Sequence, residues 1–146
     1  MEKVYDVIII GAGCTGYAAG MYCGRFGIKT LLIGEDHGGL ITWTDTVENY
    51  PGFIKLTGME LADKLRDHAK DYPIEMISER VIKIEKKSPG FIVSTKKNSY
   101  KTKTIIYATG TKVKELEVPG AQELKGRGLH FCALCDSYAY KNKTVG

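Results

Sequence analysis

The first apolar run of the chain, Val4 and then Val7 to Ile10, stops abruptly at a glycine. Apolar residues at consecutive positions predict a strand buried on both faces, as in a parallel sheet. From Cys14 to Phe26 small and apolar residues dominate. This predicts a helix packed closely on the sheet, with Gly27 where its C-cap falls. "IKTLLI" (28–33) predicts a second buried strand, so the first 33 residues read as one β-α-β unit. Residues 34–56 are rich in Gly, Thr, Asp and Pro and predict a long functional loop without a regular element.

Thr57 and Glu60 fit a capping box that opens a helix to about Asp71, with Leu61, Leu65 and Ala69 on one face. Ile74 to Ile77 predicts a short strand. "RVIKIEKK", "GFIVSTKK" and "YKTKTIIYA" follow, separated by Ser88-Pro89-Gly90 and by Asn98-Ser99. Their alternation and turn chemistry predict an antiparallel three-stranded meander closed by Ala108-Thr109-Gly110. Residues 111–128, with Pro119-Gly120 and Gly126-Arg127-Gly128, predict a crossover between domains. The final "YAYKNKTVG" reads as the opening of a further strand.

Composition narrows the class. A chain of 146 residues that is 43% hydrophobic can build one core. The net charge of +4 comes mostly from lysines spread over 83–103, which read as a solvated sheet face and not as a nucleic-acid surface. No run approaches the roughly 20 apolar residues of a spanning helix, and the first residues lack the pattern of a signal peptide. The expectation is a soluble, cytoplasmic protein. In that compartment four cysteines point to redox catalysis or metal more than to structural disulfides.

Two motifs carry chemistry. Gly11-Ala12-Gly13-Cys14-Thr15-Gly16 follows a strand and opens a helix, the context in which G-x-G-x-x-G predicts dinucleotide binding. Gly11 allows the tight turn, Gly13 admits a diphosphate to the backbone, and Gly16 lets helix and strand approach. The helix amides and dipole then hold the anion. An acidic residue after the second strand should hold a ribose; Gly34 occupies the strand end, with Glu35 and Asp36 just beyond.

The second motif is Cys132-Ala133-Leu134-Cys135-Asp136. A C-x-x-C pair at a helix start favours a thiolate and a small exchangeable ring. Asp136 is a candidate acid or base for the exchanging thiol. A zinc site needs four ligands; His130 lies close in sequence, while His37 and His68 are far off, so no metal is expected. Cys14 and Cys23 read as small core fillers. Trp43, Tyr50 and Phe53 are candidates either for stacking on a cofactor or for ordinary loop packing.

"GAGCTGYAAG" (11–20), "GGLITWTDTVENYPGF" (38–53), "IIYATGTKVKELEVPG" (105–120) and "GRGLHFCALCDS" (126–137) together resemble the low-molecular-weight thioredoxin reductase family of the FAD-dependent pyridine nucleotide-disulfide oxidoreductases. The resemblance implies an α/β fold: a Rossmann-like FAD-binding domain with a parallel sheet and the antiparallel meander, incomplete at the C-terminus. Residues 1–116 would be the N-terminal part of the FAD-binding domain, and 117–146 the start of an NADPH and dithiol domain. It implies FAD held by Gly11 to Gly16 at its diphosphate and by Gly34, Glu35 and Asp36 on the adenosine side. Gly38, Gly39, Leu40, Thr42 and Asn49 would lie along the flavin, and Ala108, Thr109 and Gly110 beneath the cofactor. Leu40 stands where the family usually has Gln, and Ser137 where it often has Gly.

By the same resemblance, electrons pass from NADPH through FAD to a Cys132–Cys135 redox disulfide and on to thioredoxin. Cys135 is then the sulfur nearer the flavin and Cys132 the one facing the partner. The full-length protein would be a homodimer, with no nucleic-acid or membrane partner. The second NADPH fingerprint is absent from these residues, so the chain alone is expected to be inactive with NADPH and to retain FAD weakly. Two alternatives keep parts of this reading: a flavin-dependent dithiol oxidase that does not use NADPH, and a non-catalytic FAD-binding module.

Overall fold

A computed structural model describes residues 3–112, 114–133 and 137–146. The chain forms two compact units, one ending at Gly110 and the other beginning at Thr111. The first carries β1 (Val4–Ile10), α1 (Cys14–Arg25), β2 (Thr30–Ile33), α2 (Gly58–Lys70), β3 (Glu75–Ile77), β4 (Val81–Lys87), β5 (Gly90–Thr95) and β6 (Ser99–Tyr107). These strands make one six-stranded sheet in the order β3-β2-β1-β6-β5-β4.

The sheet changes character at β6. β3, β2, β1 and β6 run parallel, whereas β6, β5 and β4 pair antiparallel as the expected meander. β6 therefore serves twice, as third strand of the meander and as parallel neighbour of β1. Its two edges take different neighbours: Ser99–Thr102 pairs with β5 on one, and Lys101–Tyr107 with β1 on the other.

Strand periodicity of two sorts the core into two layers. Ile9, Leu32 and Ile106 point to the side covered by α1 and α2, where Tyr17, Cys23, Leu65 and Ala69 meet them. Ile8, Ile10, Leu31, Ile33 and Ile105 point to the other side, closed by Val93 of β5 together with Val81 and Tyr100. Burial on both faces explains the uninterrupted apolar runs of β1 and β2. The exposed edge strand β4 leaves Ile82 and Ile84 in solvent beside its lysines.

Local signals set the helix ends. Gly27 at φ +68° follows the last turn of α1, and Ile28 N–H donates back to Cys23 O, a Schellman-type stop. The capping box of α2 is complete: Glu60 N–H donates to Thr57 Oγ1 at 3.1 Å, and Thr57 N–H donates to Glu60 Oε2 at 2.7 Å.

The segment read as an irregular loop has more structure than expected. Gly39–Trp43 forms a 3-10 helix, and Val47 and Leu56 exchange backbone hydrogen bonds across a short bridge. Val47, Leu56 and Leu61 make a small core of their own, against which Ile41 and Tyr50 pack. Apolar residues too widely spaced for a strand or an α-helix still collapse onto the start of α2.

In the second unit, α3 (Ala121–Leu124) and a 3-10 helix at Ser137–Tyr140 are the helical elements among the described residues. The strand expected at the end is not formed over 143–146. Among the described residues, no helix is long and apolar enough to cross a membrane.

Candidate functional site

The C-terminal ends of β1, β2 and β6 converge on one turn. Gly11 N–H donates to Ile33 O at 2.8 Å, and Ala108 N–H donates to Ile10 O at 2.9 Å. Gly11 adopts φ +118°, and a Cβ there would fall 2.2 Å from Ala108 O. A Cβ on Gly16 would fall 1.9 Å from Gly11 O, and one on Gly34 would fall 2.4 Å from the Ala12 nitrogen. Packing within the chain accounts for these three glycines. For Gly16 the close neighbour is the turn itself, and not the body of β1 as the motif suggests.

Gly13 is different. Its backbone is extended (φ −89°, ψ −174°), which any residue tolerates. A Cβ there would meet only Gly38 O at 3.5 Å, an ordinary contact. Nothing in the chain demands glycine at this position. The demand fits a group from outside that must approach the backbone closely. Gly13 is also the N-cap of α1 and provides no side-chain acceptor, and the first turn holds no acidic residue. The amides at this end are therefore available to an anion, which the helix dipole favours. Cys14 opens the helix half-buried, its thiol pushed up by burial, so it is no ready thiolate.

The fold brings the Gly38–Gly39 turn to the same place. Gly38 N–H donates to Ala12 O at 2.8 Å, and Gly13 and Gly38 form an isolated parallel bridge. Both glycines have positive φ (+77° and +65°), so side chains would strain this turn. Thr42 Oγ1 donates to Gly39 O at 2.8 Å and steadies the following 3-10 turn. Leu40 is partly exposed and Asn49 exposed. Ala108 is buried at the end of β6, with Thr109 and Gly110 exposed beyond it. Three segments far apart in sequence (11–16, 34–42 and 108) thus meet at one sheet end, the usual ligand position of an open α/β sheet.

In the second unit Cys132 is half-buried and disulfide-bonded. Cys135 and Asp136 lie outside the described residues. Two residues before Cys132, His130 sets Nε2 2.7 Å from the Tyr140 hydroxyl.

The sequence model of the family described as pyridine nucleotide-disulphide oxidoreductase matches residues 5–145, nearly the whole chain. The chain belongs to that family. Among curated proteins, this chain is 40% identical over 145 residues to the thioredoxin reductase of Bacillus subtilis, an alignment covering 99% of the chain and 46% of the relative. It is 37% identical to the thioredoxin reductase of Treponema pallidum, covering 99% and 48%. Among solved structures, the thioredoxin reductase of Streptococcus pyogenes superposes with TM-score 0.84 at 36% identity, covering 96% of this chain and 46% of that one. The Lactococcus lactis thioredoxin reductase gives TM-score 0.79 at 37% identity, covering 93% and 45%. The chain spans under half the length of the relatives it matches.

Within this family member the two acidic candidates differ. Glu35 pairs with Arg80 at 3.3 Å, while Asp36 is exposed just beyond it. Trp43 is 73% exposed and Phe53 partly so, whereas Tyr50 packs on the small core beside Val47. Cys23 is buried as a core filler and Cys14 only half so; both are free thiols. One constellation carries no motif and is invisible in the sequence reading. Tyr17, His37, Asp63 and Arg66 join α1, the approach to the Gly38 turn, and α2. The apolar-face position of Tyr17 on α1 hides its hydroxyl, and the partners of His37 lie 20 and 26 residues away.

Proposed function

We propose that this chain is the FAD-binding part, with the dithiol, of a thioredoxin-disulfide reductase that draws electrons from NADPH. The observation that carries the reading is Gly13: space that the chain does not fill, at an uncapped helix start, facing a second glycine turn. Residues 1–116 then serve the FAD domain, and 117–146 open the domain for NADPH and the dithiol.

The amides of Gly11, Ala12, Gly13, Cys14, Thr15 and Gly16 would hold the diphosphate, with Gly34 allowing close passage at the strand end. Asp36 is the better placed acid for the adenosine ribose, since Glu35 is engaged by Arg80. Gly38, Gly39, Leu40, Thr42 and Asn49 would border the flavin, and Ala108, Thr109 and Gly110 its underside. When bound, FAD supplies the two-electron carrier that links nicotinamide chemistry to disulfide chemistry.

The remaining steps belong to the chain's own residues. The Cys132–Cys135 disulfide takes up two electrons and two protons and becomes a dithiol. The Cys132 thiolate attacks the disulfide of a thioredoxin-like partner, forming a mixed disulfide and releasing one partner thiolate. Cys135 then attacks Cys132, which restores the internal disulfide and frees the second partner thiol. Asp136 delivers and removes the proton at the exchanging sulfur. A homodimer in the cytoplasm completes the proposal, with NADPH bound by residues other than these, which hold no second G-x-G-x-x-G.

The test is the visible spectrum of the purified chain with FAD added, before and after desalting, then with a dithiol and separately with NADPH. A perturbed flavin band bleached by dithiol but not by NADPH supports the proposal. A flavin spectrum unchanged at every protein concentration overturns it for this chain. Bleaching by NADPH would overturn the assignment of the nucleotide site to other residues.

A further inference from the structure

The Gly38–Gly39 turn meets the fingerprint through the Gly38 amide on the Ala12 carbonyl. The residue just before it, His37, is clasped from both sides. Its Nδ1 lies 2.6 Å from the hydroxyl of Tyr17, a residue of α1 that is only 4% exposed. Its Nε2 lies 3.0 Å from Asp63 Oδ1 on α2. Arg66, one turn along α2, places one guanidinium nitrogen 3.0 Å from the same Asp63 oxygen and its Nε 3.0 Å from Asp67 Oδ1. Its other terminal nitrogen stands 3.4 Å from His37 Nε2.

Hydrogen-bond chemistry assigns the protons. A carboxylate can only accept, so His37 Nε2 carries the hydrogen and donates to Asp63. In the tautomer with its hydrogen on Nε2, Nδ1 accepts from the Tyr17 hydroxyl. A guanidinium cannot donate to a nitrogen that is itself donating, so Arg66 acts on Asp63 and holds that carboxylate in place. That tautomer satisfies both of its neighbours at once. A tilted ring contact with Tyr17, centroids 5.6 Å apart, fixes the plane as well.

The clasped residue adjoins the turn that faces the start of α1, since Gly38 bonds Ala12 O and bridges Gly13. His37 is covalently joined to Gly38, whose positive φ is confined by the side chains of Thr42 and Ala62 and by its amide bond to Ala12 O. Two successive glycines give the turn more backbone freedom than other residues would, so a fixed residue on its N-terminal side narrows the angle at which it enters. We propose that His37 is a positioning residue: fixed between Tyr17 and Asp63, it locks the Gly38–Gly39 turn against Gly13 and so sets the grip of the two glycine turns on a dinucleotide diphosphate. The ligand in that statement rests on the proposed function. The locking of the turn does not.

The test reads both separately. Amide hydrogen exchange at Gly38 and Gly39 reports the turn without any ligand, and a titration with FAD reports the grip. His37→Ala should speed Gly38 exchange about tenfold, the scale of a net hydrogen bond or two, and weaken FAD binding by a similar factor. His37→Asn keeps an acceptor near the Nδ1 position and should recover part of the protection, an advantage that disappears when Tyr17→Phe is added. His37→Gln keeps a donor near the Nε2 position, and its partial recovery should depend on Asp63 in the same way. Tyr17→Phe alone retains the buried ring, so the comparison stands even where His37→Ala fails to fold.

Unchanged exchange in both His37→Ala and Tyr17→Phe overturns the inference, whether or not FAD binds. Faster exchange in a protein that never binds FAD upholds the positioning role and overturns the proposed ligand instead. Equal recovery by Asn and Gln regardless of Tyr17 and Asp63 overturns the clasp, because a space-filling role would behave in that way.

Discussion

The two glycine turns that meet at the sheet end are held by opposite means. The turn 11–16 is fixed by steric contact: Gly11 lies against Ala108, and Gly16 against Gly11. The turn at Gly38–Gly39 is bounded by side chains instead of backbone: Gly38 packs against Thr42 and Ala62, Thr42 bonds Gly39 O, and His37 is held by Tyr17 and Asp63. Steric fixation is cheap in residues but unforgiving, since any atom added at the contact has nowhere to go. A side-chain clasp tolerates change one bond at a time. Packing the first turn into the core therefore ties its shape to global stability, whereas the second can be loosened while the sheet stays folded.

That comparison breaks most sharply at Gly16. In the middle of a helix Gly→Ala usually gains up to about 1 kcal/mol from propensity. Here the new Cβ would sit 1.9 Å from the Gly11 carbonyl oxygen, so backbone must move and overpacking dominates. Gly16→Ala should destabilise the protein by about 3 kcal/mol in denaturant unfolding. A stability equal to that of the parent would show the turn to be adjustable after all, and the contrast between the two turns would collapse.

Gly13 sharpens the same contrast from the other side. Alanine at an N-cap costs a few tenths to about 1 kcal/mol against glycine, and a stiffer unfolded chain returns about 0.4–1 kcal/mol. The two nearly cancel, so Gly13→Ala should leave the unfolding midpoint close to that of the parent. Its extra methyl lies where the proposed diphosphate would approach, and FAD binding should fall by about two orders of magnitude, near 2.7 kcal/mol. A folded Gly13→Ala protein that binds FAD normally would remove the reason offered for a glycine there.

How far the sequence discloses all this follows from the range of each constraint. Steric and local constraints are legible. The strand–glycine–helix pattern places the fingerprint, and Thr57 with Glu60 places the start of α2. The buried parallel strands announce themselves because Ile8, Ile9 and Ile10 are consecutive. Pairings across the chain are not disclosed. β6 reads as the last strand of a meander, and its place beside β1 is hinted at only by the adjacent Ile105 and Ile106. His37 looks like a spare histidine, since the residues that give it a role come from two helices. The 3-10 helix at Gly39–Trp43 is hidden for a similar reason: Ile41 finds its core only once Val47, Leu56 and Leu61 have been assembled. For the chemistry, C-x-x-C was legible as a motif, while its role depends on what lies against it.

The smallest expected effect sits where α2 begins, beside the side-chain-held turn. Gly58, the first residue of α2, would place a Cβ 1.7 Å from Ile41 O, so the helix start and the 3-10 helix after Gly39 are packed as one piece. Its stability leans on the capping box, and Thr57→Ala should cost about 1 kcal/mol. The box is also a proton sensor. The Thr57 backbone N–H, and next the Thr57 hydroxyl, hold the Glu60 carboxyl below its ordinary range. A depressed folded value means that the unfolded chain takes up the proton first as acid is added. The contribution of Glu60 is therefore fully present above the ordinary carboxylate range and is lost as pH falls through the lower, folded value. Fluorescence of Trp43, which lies in the 3-10 helix, offers a local readout of this edge. In the parent, the acid limb of unfolding should carry this small dependence; in Glu60→Gln it should be flatter. An identical acid limb in the two proteins would mean that protonation of the box does not reach the turn, and that the Gly38–Gly39 segment is held independently of Glu60.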